Sequence, residues 1–269
     1  MKKKKDFNVR VIYHAIRQEA RNVFLRIAGC NAKPSKSIHI ISGHMSHRTE
    51  PDIKYMERTM ERLSKKVTFI NIEDAVEMIC QHKIPSKPLC AFTFDDGFDD
   101  CYYNIAPVLE KYKVNAIFFV NPNFVEGDES YIKHFTKEIV ETKGKRPMRW
   151  EQLIDLQNRG FIIGAHTMDH YLTSLDDEKS LEYQIVNCKK VIEAHTGRPC
   201  DYFAWPYGRI EHTSQKAVEI ACKNYKYVFS QTDYKHYFSF NGQVINRRHF
   251  EPFWPFSHIR YFLSKTKRY

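Results

Sequence analysis

The chain has 269 residues, 42% hydrophobic and 14% aromatic, which suits one large domain or two small ones with a full core and argues against disorder. Its formal net charge of +10 fits nucleic acid, an anionic membrane surface or an acidic substrate. The seven cysteines, at 30, 80, 90, 101, 188, 200 and 222, are odd in number and hold no CxxC pair, so neither a disulfide framework nor a zinc-thiolate site is expected, and a reducing compartment fits.

At the N-terminus Lys2–Lys5 is basic, but Arg10, Arg17, Glu19 and Arg21 interrupt any apolar stretch, so a secretory core is missing. No run reaches the roughly 18 apolar residues of a membrane span. Val9, Ile12, Ile16, Ala20, Val23 and Ile27 recur at spacings of 3 and 4, an amphipathic helix flanked by Arg10, Arg17 and Arg21. Such a helix either packs on its own domain or lies on an anionic membrane. The expected location is cytoplasmic, peripheral at the inner membrane face in the second case.

Residues 31–37 read as a linker. Strands are expected at 38–41, 66–70, 87–94, 115–120, 161–165, 202–205 and 227–230. Helices are expected at 52–65, 73–82, 105–112, 150–159, 176–196 and 212–224, with Gly160 and Gly197 as stops. Residues 121–147 read as a polar insertion with a helix near 131–142. This alternation predicts an α/β chain with a mostly parallel sheet, either a barrel or doubly wound, and sites at the C-terminal ends of strands.

Three polar clusters fall at such ends. Ala91–Phe94 is an apolar strand followed at once by Asp95, Asp96 and Gly97. Asp-Asp-Gly is often a plain turn, with glycine supplying positive φ. Two buried acids, however, need a partner, and a metal ion would serve, one acid ligating it and the other staying free as a base. Asp99 and Asp100 suit the N-terminus of the next helix. GAHTMDH then supplies His166 and His170 after a second apolar strand, expected beside the first. With 13 histidines, roughly 0.6 such pairs arise by chance, so the spacing alone is weak. On one helical turn both imidazoles would reach one ion, and two histidines with a carboxylate make a three-ligand site with an open position. The implied chemistry is metal-assisted hydrolysis of an amide or ester. The third cluster is Pro206/Tyr207.

In order, Thr93–Gly97, His166–His170 and Phe203–Gly208 (FAWPYG), with APVLEKYKVNAIFFV and MRWEQLIDLQNRGFIIGAHT between them, make residues 38–250 resemble the polysaccharide deacetylases, carbohydrate esterase family four with its NodB-like domain. The resemblance implies a distorted (β/α) barrel of about seven parallel strands. It implies Asp95 as general base, Asp96, His166 and His170 as ligands of a divalent metal, zinc above all, and the Tyr207 backbone N–H as oxyanion donor. The FAWPYG form looks like the subgroup acting on exopolysaccharide N-acetylglucosamine. The reaction implied is N-deacetylation of an amino sugar in a polysaccharide, oligosaccharide or glycan precursor.

The chain departs from the family at three points. Ala204 stands where many members have an arginine that orients the catalytic aspartate; Arg248, in INRRHF, is the expected substitute. The family's Asp-Trp motif is not evident, Asp233 being a poor match. Its Leu-x-His motif is absent, which makes His249 the expected general acid. His44 and Trp205 are expected to line the cleft. The expected layout is 1–37 basic helix and linker, 38–250 catalytic domain, and 251–269 an aromatic, basic extension. In that extension Phe253, Trp254, Phe256, Tyr261 and Phe262 either cover the barrel bottom or meet lipid. The rivals are a deformylase acting on a lipid-linked amino sugar and an inactive carbohydrate-binding barrel. Nucleic-acid binding is not expected, since no such motif accompanies the charge. Oligomeric state is not legible.

Overall fold

A computed structural model describes residues 2–48, 52–175 and 177–269, with side chains from residue 16 onward. The sequence-expected helix start at Asp176 and the stripe positions Val9 and Ile12, as side chains, lie outside the described residues. Helix α1 (Lys2–Gly29) is followed by β1 (Ile38–Gly43), α2 (Lys54–Ser64), β2 (Thr68–Phe69), α3 (Ile72–Cys80) and β3 (Leu89–Phe94). A π-helical turn, Cys101–Ile105, leads into α4 (Ala106–Lys111) and then β4 (Ala116–Val120), α5 (Pro122–Glu126) and α6 (Glu129–His134). Next come α7 (Trp150–Asn158), β5 (Ile162–Ala165), α8 (Glu178–Leu181), α9 (Cys188–Thr196) and β6 (Tyr202–Ala204). The chain closes with α10 (Gln215–Asn224), β7 (Tyr227–Ser230), β8 (Phe238–Ser239), β9 (Val244–Asn246), β10 (Arg248–His249) and α11 (Phe256–Leu263).

The strands form one sheet in the order β10-β1-β3-β4-β5-β6-β7-β9-β8, with β2 on β3, and every pairing is parallel except β8–β9. β9 and β10 are two parts of one extended segment. Its first part pairs with β7 and its second with β1, so the chain itself bridges the two ends of the sheet. This is the distorted (β/α) barrel the sequence leads one to expect.

Alternation decides which side chains face the barrel interior. Ile38, Ile40, Ala91, Ile117, Phe119, Ala204, Phe229 and Ile245 share one buried cluster. The residues between them, Ile41, Phe92, Phe94, Phe118 and Phe203, pack outward under the helices. Helix α2 offers Met56, Thr59, Met60 and Leu63 to that outer layer, a helical i, i+3, i+4, i+7 face. Ser214 and Asp177 cap α10 and α8 by accepting from the N–H of Ala217 (3.1 Å) and Ser180 (2.8 Å).

Residues 121–147 are less polar in the fold than in the sequence. Phe124, Ile132 and Phe135 are buried with Met45 and Phe98 in a satellite core, Phe124 stacking on Phe135 at 4.0 Å. The helix expected near 131–142 is present as α6 and the π-helical turn that continues it at Phe135–Ile139, and α5 precedes it.

Helix α1 lies on α11, and contact is close: a Cβ on Gly29 would stand 1.8 Å from the Ser257 carbonyl oxygen. Leu25 and Gly29 are buried in that seam. The apolar stripe points the other way, with Ile16, Val23 and Ile27 at 64%, 51% and 74% exposed. Residues 264–269 return to the barrel: Lys267 Nζ donates to the Asn246 carbonyl (2.6 Å) and Tyr237 N–H to that of Arg268 (2.7 Å). Phe253 joins the satellite core and Trp254 meets His249 edge-on at 4.8 Å, both near the mouth.

Candidate active site

The cleft at the C-terminal strand ends has a volume of about 410 Å³. Asp95, Asp96, His166, His170, Trp205 and Tyr207 line it, as do His44, His249 and Glu251. Asp96 leaves β3 with φ +69° and Gly97 follows at +70°; a Cβ on Gly97 would press to 3.0 Å against Val120. This left-handed turn separates the two carboxylates.

Asp95 keeps the interior parity of Ala91 and Thr93. It is buried and fully partnered. Arg247 grips it with both arms, Nη1 donating to Oδ1 at 2.7 Å and Nη2 to Oδ2 at 3.0 Å, while Nη1 also donates to Thr93 Oγ1 at 3.0 Å. Ser42 Oγ donates to Oδ2 at 3.0 Å and Gln231 Nε2 at 3.4 Å. Burial alone would raise the Asp95 carboxyl, but the Arg247 guanidinium overrides it and holds the group well below the usual carboxylate range.

The expected partner, Arg248, is not the one that reaches Asp95. Within an extended segment, neighbours face opposite sides. Ile245 is in the barrel interior, so Arg247 is too, and Arg248 turns outward. Arg248 is clamped instead between the rings of Tyr234 (3.9 Å) and Phe262 (3.4 Å). Ala204 faces the same interior as Arg247, whose guanidinium lies 4.9 Å over Phe119. A cation from the β9–β10 segment thus occupies an interior that Ala204, two strands away, leaves open.

Asp96 is the opposite case. It is buried, and its Oδ1 accepts no hydrogen bond. His166 Nε2 lies 3.5 Å and His170 Nε2 3.3 Å from it. All three ligand atoms fall within 4.8 Å of one another. A tetrahedral site with bonds of about 2.1 Å has edges of roughly 3.4 Å, so the donor set fits a divalent cation. His166 Nδ1 lies 2.6 Å from the Ala204 carbonyl oxygen, which selects the tautomer that leaves Nε2 as a lone pair. Burial pushes His166 down to about 4, against the pull of Asp95, and keeps it neutral.

The histidine pair is not on a helical turn, as its spacing suggested. It lies in a loop with Thr167 at φ +63° and His170 at φ +56°. Asn121 holds this loop by donating to the carbonyls of His166 and Thr167. Nor is β5 beside β3, since β4 lies between them. The loop spans that extra strand.

His44 and His249 share Glu251. His44 Nδ1 is 2.6 Å and His249 Nε2 3.1 Å from Glu251 Oε1, and the two rings meet edge-on at 5.1 Å. Burial would lower His44, but the Glu251 carboxylate raises it to about 10. Tyr207 has φ +62°, and its ring packs edge-on against His170 at 4.7 Å. Trp205 is buried, its Nε1 donating to the Arg209 carbonyl at 3.3 Å. Sequence reading missed Arg247, Ser42, Gln231 and Glu251, and also residues 139–142, which form one wall of the cleft. The Arg247-Arg248 dipeptide is plain in the sequence; its strand parity is not.

Residues 82–225 match the polysaccharide deacetylase family. The Bacillus subtilis protein YxkH, which carries a polysaccharide deacetylase name, is 27% identical over 147 residues, 55% of this chain and 47% of its own. A peptidoglycan-N-acetylglucosamine deacetylase of Bacillus cereus is 29% identical over 137 residues, 51% of this chain and 54% of its own. The chain therefore spans about half the length of the curated relatives it matches. The solved structure of IcaB from Ammonifex degensii has the same fold, with a TM-score of 0.66 at 19% identity, covering 87% of this chain and all of that one. With more than half of its length matched and the acidic turn, histidine pair and PYG strand end assembled in one cleft, the chain belongs to the polysaccharide deacetylase family.

Proposed function

We propose that this protein is a metal-dependent hydrolase that removes the N-acetyl group from an amino sugar of a glycan or glycan precursor. The observation that carries the proposal is the unpartnered Asp96 Oδ1 facing two imidazole nitrogens, beside a fully compensated Asp95. Asp96, His166 and His170 would hold the ion, zinc by the chemistry of the donor set. When bound, it supplies Lewis acidity to an acetamide carbonyl and acidity to a water.

Asp95 takes the proton of the attacking water, kept ionised and oriented by Arg247. The Tyr207 backbone N–H donates to the oxygen on which charge develops. His249, exposed to the cleft and backed by Glu251, delivers the proton to the leaving amine, with His44 on the same carboxylate. His44 and Trp205 bound the sugar. Mass spectrometry for acetyl loss across a panel of N-acetylamino sugars and lipid-linked glycans tests the reading, with Asp95→Asn as the inactive control. No acetyl loss from any member would end it, and loss of a formyl group alone from a formylated lipid-linked amino sugar would favour the deformylase alternative.

The placement of the α1 stripe supports a second reading, peripheral contact with an anionic membrane. Ile16, Val23 and Ile27 are exposed opposite the packed seam, with Arg17, Arg21 and Arg26 on the flanks. No helix among the described residues is long and apolar enough to cross a membrane. Sedimentation with anionic vesicles is expected for the intact protein, and to be lost in the triple change of Ile16, Val23 and Ile27 to Ser. Absence of sedimentation by the intact protein rejects this contact.

A further inference from the structure

Beside the cleft lies a second, smaller cavity of about 280 Å³, which shares Tyr207, Gln231 and His249 with it. Its walls bring three guanidinium groups together from separate parts of the chain: Arg21 of α1, Arg209 after β6, and Arg248 of β10. Arg247 also borders it but is committed to Asp95.

The balance of charge there is one-sided. Arg248 is held by Tyr234 and Phe262 and its Nε, buried, has no hydrogen-bond partner. Arg209 pairs with Glu211 at 3.6 Å, both at the surface. Among the described residues no carboxylate forms an ion pair with Arg21 or Arg248. Burial, with the like charge of Arg21, presses Arg248 down to about 9. Crowding cations in a partly buried pocket without an anion is unfavourable, and guanidinium forks match phosphate oxygens.

We propose that this cavity is an anion subsite that holds a phosphate or pyrophosphate group of the substrate while its acetamido sugar occupies the adjoining cleft. The substrate class is then an N-acetylated glycosyl phosphate or pyrophosphate, carried on a lipid or on a nucleotide, rather than a neutral polymer. This rests on the deacetylase reading, with the anion site itself standing independently. Helix α1 is part of the site through Arg21, which gives the N-terminal helix a role in substrate recognition.

Two measurements test it. In calorimetric titration of the metal-loaded protein with inorganic pyrophosphate, Arg21→Gln, Arg209→Gln and Arg248→Gln should each weaken binding by about tenfold. Any affinity of the metal centre for pyrophosphate is common to all variants, so the differences report the arginines. If Arg248→Gln does not fold, the exposed Arg21 and Arg209 carry the test. Affinities within about twofold across the variants overturn the site. In the second measurement, kcat/KM for N-acetylglucosamine 1-phosphate should exceed that for a neutral chito-oligosaccharide by about tenfold or more, through KM, and the ratio should fall toward one in Arg21→Gln/Arg209→Gln. A wild-type ratio of one overturns the substrate class. Comparing a short-prenyl pyrophosphoryl sugar with a nucleotide diphosphate sugar separates the two carriers. Arginine-dependent pyrophosphate binding without hydrolysis of any acetamido sugar would keep the anion site and reject the deacetylase reading. Hydrolysis of neutral and phosphorylated sugars alike, with arginine-independent binding, would do the reverse.

Discussion

Asp95 and Asp96 are adjacent in the chain, both buried, and treated in opposite ways by the fold. Asp95 is surrounded by donors from three segments, Ser42, Gln231 and Arg247, and Arg247 is itself steadied by donating to Thr93. Asp96 is given two imidazole nitrogens and an oxygen with no donor at all. A carboxylate satisfied within the protein is a fixed, ionised group; one left short, facing two imidazole nitrogens, is open to a cation. The left-handed turn at Asp96 makes the difference, because it sends the second side chain out of the barrel interior and toward the loop after β5.

The largest effect expected on this contrast comes from its incomplete half. Asp96→Asn or His170→Ala should abolish metal retention, read by elemental analysis, and lower kcat by about a thousandfold or more; chelation of the wild type should do the same. Full metal content in Asp96→Asn would show that this oxygen is not the missing partner's ligand.

Next comes the complete half. Arg247→Met leaves a buried carboxylate unpaired and should cost about 3–5 kcal/mol in denaturant unfolding, together with most of the activity. Adding Ala204→Arg should restore part of both, since the two positions face one interior. A loss below about 1 kcal/mol would mean that water or Gln231 compensates Asp95 as well as Arg247 does.

His249→Ala should lower kcat by about a hundredfold with little change in metal content, and it should remove one limb of the pH–rate profile. An unchanged profile would assign the leaving-group proton to another donor.

The smallest effect is on pH-dependent stability through His44 and Glu251. The folded His44 is raised from 6.5 to about 10, so its contribution is fully present below 6.5 and fades as pH rises through about 10. Glu251 is lowered from 4.5: burial opposes its charge, but His44 and His249 prevail, so its contribution is lost as pH falls below that value. His44→Gln should therefore destabilise by about 2 kcal/mol between these limits, and the melting-temperature gap to wild type should close by pH 10. A gap independent of pH would point to packing rather than charge.

Much of this molecule is written in short stretches of its sequence. The β3–acid turn, the His166/His170 pair and the helix stops at Gly160 and Gly197 are local: each depends on residues a few positions apart whose conformational preferences are strong. They carry the alternating α/β order and the family likeness. The short closing strands β8, β9 and β10 carry too few residues for a periodicity to register. Residues 121–147 looked polar because their few aromatics are buried with Met45, Phe98 and Phe253, which lie elsewhere in the sequence.

The sequence by itself determined which groups are available: two carboxylates, two histidines, a dipeptide of arginines and a basic, striped first helix. Tertiary structure alone decided their assignments. Arg247 rather than Arg248 meets Asp95 because strand parity is set by pairing with β7 and β1, a long-range register. The apolar stripe of α1 faces outward because Leu25 and Gly29, not the stripe, fit the surface of α11. Local chemistry is written in neighbouring residues; which side a residue faces depends on what the rest of the chain brings against it.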